Sequence, residues 1–236
     1  MMNEIRRFMR FTLPGIVFSV QLLLALSVTN WDKVKGALES VNDKSAIGIV
    51  LGSFLATGAL GYILSIVYFG LYWSGVFDRF AINHKPAFSD FDGKLEIVDG
   101  KGNTLSLDNL SKRDLWIILT QYWYSVKKKS ASIESIDDWV DRMSDITHGL
   151  GTNLVGSIIG LFIWIGLVVS HGGYESQFIT PLVVVVWLFF ICISAKNYRV
   201  SHIGFERLIN TTTREVIKNQ LDNPYLSGKL KILYVK

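Results

Sequence analysis

The sequence predicts a mainly α, polytopic membrane protein, with four transmembrane helices and a small α+β cytoplasmic domain. Three observations carry this reading. Charged residues are 19% of the chain, below the roughly 25% of soluble domains, and they are absent from four long runs. Lys and Arg concentrate in three of the segments between and beside those runs. Two short stretches, Gly93–Leu107 and Lys229–Lys236, alternate apolar and polar residues as strands do.

The charge-free runs are residues 11–31, 45–77, 146–174 and 176–195, of 21, 33, 29 and 20 residues. A helix needs about 20 apolar residues to cross a ~30 Å hydrocarbon core, so each run is long enough for one span. Pro14 and Pro181 stand near span starts, where proline costs little. The basic N-terminus followed by Ala25–Ser27 also reads as a signal peptide, but the apolar stretch exceeds the usual signal core. Cys192 falls in the fourth span and is the only cysteine, so no internal disulfide forms.

Lys and Arg number three before the first span, three between spans one and two, ten between spans two and three, none between spans three and four, and eight in the tail. Three acidic residues offset the three in the first loop. The positive-inside rule therefore places both termini and the central segment in the cytoplasm. The organisation expected is residues 1–77 (spans one and two), 78–148 (cytoplasmic insert), 149–196 (spans three and four) and 197–236 (cytoplasmic tail). The formal charge of +4 is accounted for by this orientation signal, and direct nucleic-acid binding is not expected.

In the second span, Gly48, Gly52 and Ala56 form one row of small residues at four-residue spacing. Ser53, Thr57, Gly61 and Ser65 form another, and the third span carries Gly156 and Gly160. Small residues let helix backbones approach closely in lipid, where hydrophobicity gives no net drive to associate. These rows are expected to pack helices, within one chain or between subunits of a homo-oligomer. Tyr68, Phe69, Tyr72, Trp73 and Phe77 fall where the second span leaves the bilayer, at the level of aromatic belts. No span has an ionisable residue near its middle. Gln21 is the most polar buried candidate, and His148 and His171 sit at span ends. Ion-coupled carriers need intramembrane charge, so that class is disfavoured.

In the insert, "GKLEIVDGKGNTLSL" reads as a β-hairpin with a Gly/Asn/Asp turn. A lone hairpin is marginal in water, and the C-terminal "KLKILYVK" is expected to join it in a small sheet. Ser111 and Asp114 have capping-box spacing ahead of a stripe at Leu115, Ile118, Leu119, Tyr122 and Val126. Lys127, Lys128 and Lys129 end that helix, where positive charge suits the dipole, beside Trp116, Tyr122, Trp123 and Tyr124. Such a combination suits single-stranded nucleic acid or anionic lipid headgroups; on a membrane protein the lipid reading is favoured, level with a plain solvated helix end. A second helix, Ile133–Thr147, runs into the third span. The tail 201–220 is helical and broken by Asn223-Pro224.

Glu134, Asp137, Asp138, Asp141 and Asp145 make an acidic face at helical spacing. It fits a solvated or partner-facing surface better than a Mg²⁺ site, because no phosphatidyl-transferase pattern accompanies it. Asp137, Asp141 and Asp145, with Ile232 and Tyr234 of the final strand, are the candidate docking residues. The templates for Ser hydrolases, zinc proteases and phosphate-binding loops are absent, so no catalytic residue, metal or cofactor is expected. Asn210-Thr-Thr matches a glycosylation acceptor, but on the side expected to be cytoplasmic.

The spans "LPGIVFSVQLLLALSV", "AIGIVLGSFLATGALGYILSIVYF", "LVGSIIGLFIWIGLVV" and "FITPLVVVVWLFFICIS", with an insert between the second and third, resemble in layout the membrane subunit of Kiwa-type bacterial anti-phage systems. The resemblance covers the whole chain and rests on layout, so no residue role carries over. It implies a membrane-embedded oligomer of the bacterial inner membrane that senses phage attack and acts through a soluble cytoplasmic protein with DNA-binding activity. The residues themselves are compatible with three functions: a non-enzymatic sensor or scaffold docking a soluble partner, a pore, and, least favoured, a lipid-modifying enzyme using the acidic helix with His148 or His84.

Overall fold

The computed structural model describes residues 8–29, 43–74, 81–91, 93–127, 131–170, 179–222 and 228–234, with single positions between 32 and 39. A π-helical turn, Phe8–Thr12, leads into α1 (Leu13–Thr29), followed by α2 (Asp43–Trp73) and a short α3 (Lys85–Ser89). Then come β1 (Leu95–Asp99), β2 (Thr104–Leu105), a 3₁₀ turn (Leu107–Asn109) and α4 (Lys112–Lys127). Two long helices, α5 (Ala131–Ser170) and α6 (Ile179–Leu221), precede β3 (Leu230–Tyr234). Four of these helices are long and apolar enough to cross a membrane, over Arg10–Val28, Leu55–Trp73, and within Ile136–Ser170 and Thr180–Leu221. Each is the helix expected from a charge-free run. The helices expected over 133–147 and 201–220 are continuous with the third and fourth.

The chain divides into two compact units. The first comprises Met1–Gly70 and Asp145–Ser201, and the second Leu71–Ser144 and His202–Lys236. The first unit has an apolar core cluster of Ala25, Leu161, Trp164, Val168 and Trp187. Its outer faces carry exposed Leu24, Tyr62, Phe162, Val185 and Phe189. Exposed apolar surface on this scale is unfavourable in water and is what a lipid-facing bundle presents.

The second unit is α+β and has an ordinary inward core. Phe88, Ile97, Ile118, Phe205, Ile209, Ile217 and Ile232 meet there. Each buried side chain of this size contributes about 1.5–3 kcal/mol. The sheet order is β2-β1-β3. β1 and β2 form the expected hairpin, antiparallel with Ile97 opposite Leu105. The C-terminal strand joins it as expected, parallel to β1 from Leu95↔Leu230 to Asp99↔Tyr234. Asp99 organises the hairpin turn: its Oδ1 accepts from the backbone N–H groups of Lys101 and Asn103, both at 2.8 Å. Gly102 supplies the positive φ of +86° that the turn requires. The Asn103 bonds hold the Asp99 carboxyl below its ordinary pKa. Ser111 and Asp114 form a reciprocal cap on α4, with Asp114 N–H donating to Ser111 Oγ at 3.1 Å and Ser111 N–H to Asp114 Oδ2 at 3.2 Å.

Candidate functional sites

In the apolar unit, the small residues divide into those that are filled and those that are open. Gly61 lies against the Phe11 carbonyl and the Gly15 backbone, and Gly15 against the Thr57 carbonyl, so α1 and α2 touch backbone to backbone. Ser65 of the same row is buried. A Cβ on Gly156 would lie 3.0 Å from Leu64, and one on Gly160 3.0 Å from the Trp187 ring. Gly52 instead faces open space, and Ser53 and Ala56 are exposed beside it. The backbone of Gly48 is helical, and its surroundings lie outside the described residues.

A polar network threads this unit. Tyr68 Oη stands 3.2 Å from His148 Nδ1 and 3.2 Å from Tyr198 Oη. The Phe69 ring lies 4.9 Å from His148, and the Arg10 guanidinium 5.0 Å from Phe69. Arg10 Nη1 is 3.5 Å from Asp145 Oδ1, one helical turn before His148. Gly151 leaves room for the Tyr68 ring. Ser157 Oγ donates to Gln21 Oε1 at 2.9 Å, and Trp187 Nε1 donates to the Ser157 carbonyl at 3.0 Å. Tyr68 was expected as a belt residue. It is buried in this network, which sequence spacing does not reveal because its hydroxyl partners, His148 and Tyr198, come from two other helices.

In the α+β unit, Tyr72 is also buried, and its hydroxyl accepts from the Ile82 N–H at 3.1 Å. The Trp73 ring packs 6.4 Å from Trp116. Among the residues expected to meet lipid headgroups, Lys127 pairs with Asp137, which raises the lysine pKa. Lys128 and Lys129 lie outside the described residues.

The candidate docking residues are placed as follows. Asp137 is buried and bound by Lys127 and the Trp123 indole N–H. Ile232 and Tyr234 are buried in the core, and Asp145 belongs to the Arg10 pair. Asp141 is exposed. The exposed side chains of β3 are those of Lys231 and Leu233, the alternate residues of the strand. The helical acidic stripe turns one of its carboxylates inward, because the Trp123 indole N–H lies there and needs an acceptor.

Residues 81–86 of this unit are held by side chains from three helices. Lys112 of α4 donates to the Ala81 carbonyl at 3.1 Å, and Tyr72 of α2 accepts from Ile82. Asn210 and Arg214 of α6 donate to the Asn83 and Pro86 carbonyls at 2.9 and 3.0 Å. Asn210 is buried in this contact. His84, 1% exposed, packs 5.4 Å from the Trp116 ring. Burial drives its pKa down to about 4, against the Asn210 amide and with help from His202. Next to α3 and the hairpin lies a cavity of about 520 Å³ lined by Lys85, Phe88, Glu96, Thr104, Asp108 and Lys229 among others.

Among the described residues no group of three or more His, Cys, Asp or Glu side chains is placed to hold a metal ion. Comparison with family models, curated proteins and solved structures finds no match to the chain.

Proposed function

We propose that the chain is a non-enzymatic, oligomeric multi-pass protein of the bacterial inner membrane, a sensor or scaffold whose α+β unit docks a soluble cytoplasmic partner. The observation that carries the reading is the pairing of four lipid-compatible helices with a separately cored α+β unit. The positive-inside charge pattern supports cytoplasmic termini and a cytoplasmic α+β unit. The layout's resemblance to Kiwa-type membrane subunits supports a role in defence against phage.

Oligomer formation is supported by the open face of α2. Gly52, Ala56, Ala59, Ile63, Ile66 and Gly70 are all exposed and recur at intervals of four and three. That is the spacing of a helix–helix seam, with small residues where close approach matters. Partner docking is supported by the outer side of β3, beyond which the described sheet has no further strand. Strand addition at such an edge is a common recognition mode.

The test is affinity purification of the full chain in mild detergent, with mass measurement of the intact complex. A multimer carrying a stoichiometric soluble companion supports the proposal, and a bare monomer overturns it. Leu233→Asp, exposed and outside the core, should release the companion while the multimer survives. Gly52→Leu should do the reverse.

A further inference from the structure

We propose that a groove between α1 and α6 holds one phospholipid acyl chain as a fixed component of each chain. This rests on the four spans crossing a bilayer, as proposed above. The groove has a volume of about 270 Å³, and eight of its nine lining residues are apolar. Its α1 wall is Gln21, Leu24, Ala25 and Val28, spaced i, i+3, i+4 and i+7 along one helix face. Its α6 wall lies between Leu182 and Phe190.

The lining selects hydrocarbon. Gln21 Oε1 accepts from Ser157 Oγ at 2.9 Å, and the Trp187 indole N–H donates to the Ser157 carbonyl at 3.0 Å. Both groups are thus spent on α5. Ala25 and Trp187 also belong to the buried cluster that includes Leu161 and Trp164 of α5, so an apolar occupant extends that cluster. Water gains little there, because apolar cavities stay dry.

Position and width select a lipid chain over other apolar occupants. Residues 21–28 close the Arg10–Val28 span, and residues 182–190 stand near the start of the stretch from Thr180. The groove therefore lies in the half of the bundle away from Arg10, within one leaflet. At 1.5 Å per residue these stretches are roughly 10–12 Å long. Half of a ~30 Å hydrocarbon core is only slightly longer. A volume of about 270 Å³ over such a length is a channel one polymethylene chain wide. A helix of a second copy, about 10–12 Å across, does not enter it. Hydrophobicity gives no net drive to associate in lipid, so the hold is dispersion contact on several sides of the chain.

The experiment titrates the full chain, purified in mild detergent and stripped of lipid, with dioleoyl phosphatidylethanolamine, read by native mass spectrometry. The native protein should saturate at one tightly held lipid per chain. Val186→Phe places a ring in the groove and should weaken that binding roughly tenfold, the penalty of overpacking a filled site. Val185→Phe, at an exposed neighbouring position outside the groove, should bind as the native protein does. Val186 is itself 46% exposed, and matched thermal unfolding of the two variants checks that the core is intact. Absence of a saturable lipid overturns the proposal, and so does equal binding by Val186→Phe and the native protein. If Val186→Phe splits the multimer with its lipid count unchanged, a second copy fills the groove and the proposal falls. Those results leave the membrane reading standing, whereas recovery of the chain in the water-soluble fraction without detergent overturns that reading itself.

Discussion

Gly15 and Gly61 lie back to back between α1 and α2: a Cβ on Gly15 would come 2.8 Å from the Gly61 nitrogen, and one on Gly61 3.0 Å from the Gly15 nitrogen. Each added Cβ would also overlap a backbone carbonyl, that of Thr57 or Phe11. Backbone atoms cannot rotate away as side chains do, so the two helices must separate. Gly61→Ala should therefore cost about 1–3 kcal/mol, the usual range for overpacking, and Gly61→Leu more. Gly52→Ala, facing open space, should leave the stability of the single chain unchanged. Thermal unfolding in detergent under conditions that keep the chain monomeric distinguishes the two positions.

The Tyr68 hydroxyl is the hinge of the network in the apolar unit, since it touches both His148 and Tyr198. Tyr68→Phe keeps the ring and removes the hydroxyl from its contacts with His148 and Tyr198, and should destabilise by about 1–3 kcal/mol. Tyr198→Phe removes one contact and should cost less. Gly151→Ala should resemble Tyr68→Phe, because a Cβ there overlaps the Tyr68 ring and must displace it.

Which of these features could be read from the chain follows from their range. Charge-free runs, the capping pair Ser111/Asp114 and the Asp99–Asn103 turn are local, and local chemistry decides them. The joining of β3 to β1 was also legible, because alternation at Lys229–Lys236 demanded a sheet and one hairpin lay exposed. The parallel register was not, since it depends on where α6 ends. The small-residue rows were visible as rows, but only tertiary packing decides that Gly61 is filled and Gly52 open. The inward turn of Asp137 and the burial of Tyr68 and Tyr72 escaped for the same reason: their partners, Trp123, His148 and Ile82, are set by helices and segments remote in sequence or on another face. The holding of residues 81–86 left no periodic signal at all.

Asp137 is the anchor between α4 and the start of α5, accepting from the Trp123 indole and from Lys127. Asp137→Ala leaves a buried indole N–H without its partner and should cost about 1.5–3 kcal/mol, since Lys127 is partly exposed and keeps its charge in contact with water. Asp137→Asn keeps an acceptor for Trp123 and loses the charge, so about 1–2 kcal/mol is expected. Near-ultraviolet dichroism of the tryptophan, with denaturant titration, reports both. Equal losses in the two variants would show that the charge, not the indole bond, dominates.

Tyr234 ties β3 to α4 through its hydroxyl, which donates to Asp114 Oδ1 at 2.6 Å. That bond and the adjacent negative charge push the tyrosine pKa to about 12. Tyr234→Phe should cost about 1–2 kcal/mol, in the range of a hydrogen bond to a charged group. Asp114→Ala should cost more, because it also removes the reciprocal cap with Ser111. Hydrogen exchange across Lys231–Leu233 should rise in both variants, with the α4 N-terminus affected only in the second.

His84 makes the stability of the α+β unit depend on acid. Its folded pKa, about 4, lies below the ordinary 6.5 because the ring is buried. Above pH 6.5 the ring is neutral folded and unfolded, and its contribution is complete. As pH falls from 6.5 towards 4 the unfolded chain takes up the proton first, so unfolding is favoured progressively. Below about 4 both states are protonated and this loss stops growing. A shift of this size corresponds to on the order of 3 kcal/mol, at about 1.4 kcal/mol per pH unit. His84→Gln cannot titrate, so the difference in stability between native and variant should shrink or reverse between pH 7 and pH 4. Carboxylates common to both proteins cancel in that difference, while His202, which faces His84, remains in each and sets the residual slope. Denaturant titration of both proteins across that range measures it, and two parallel curves would mean that the imidazole is already solvated at neutral pH.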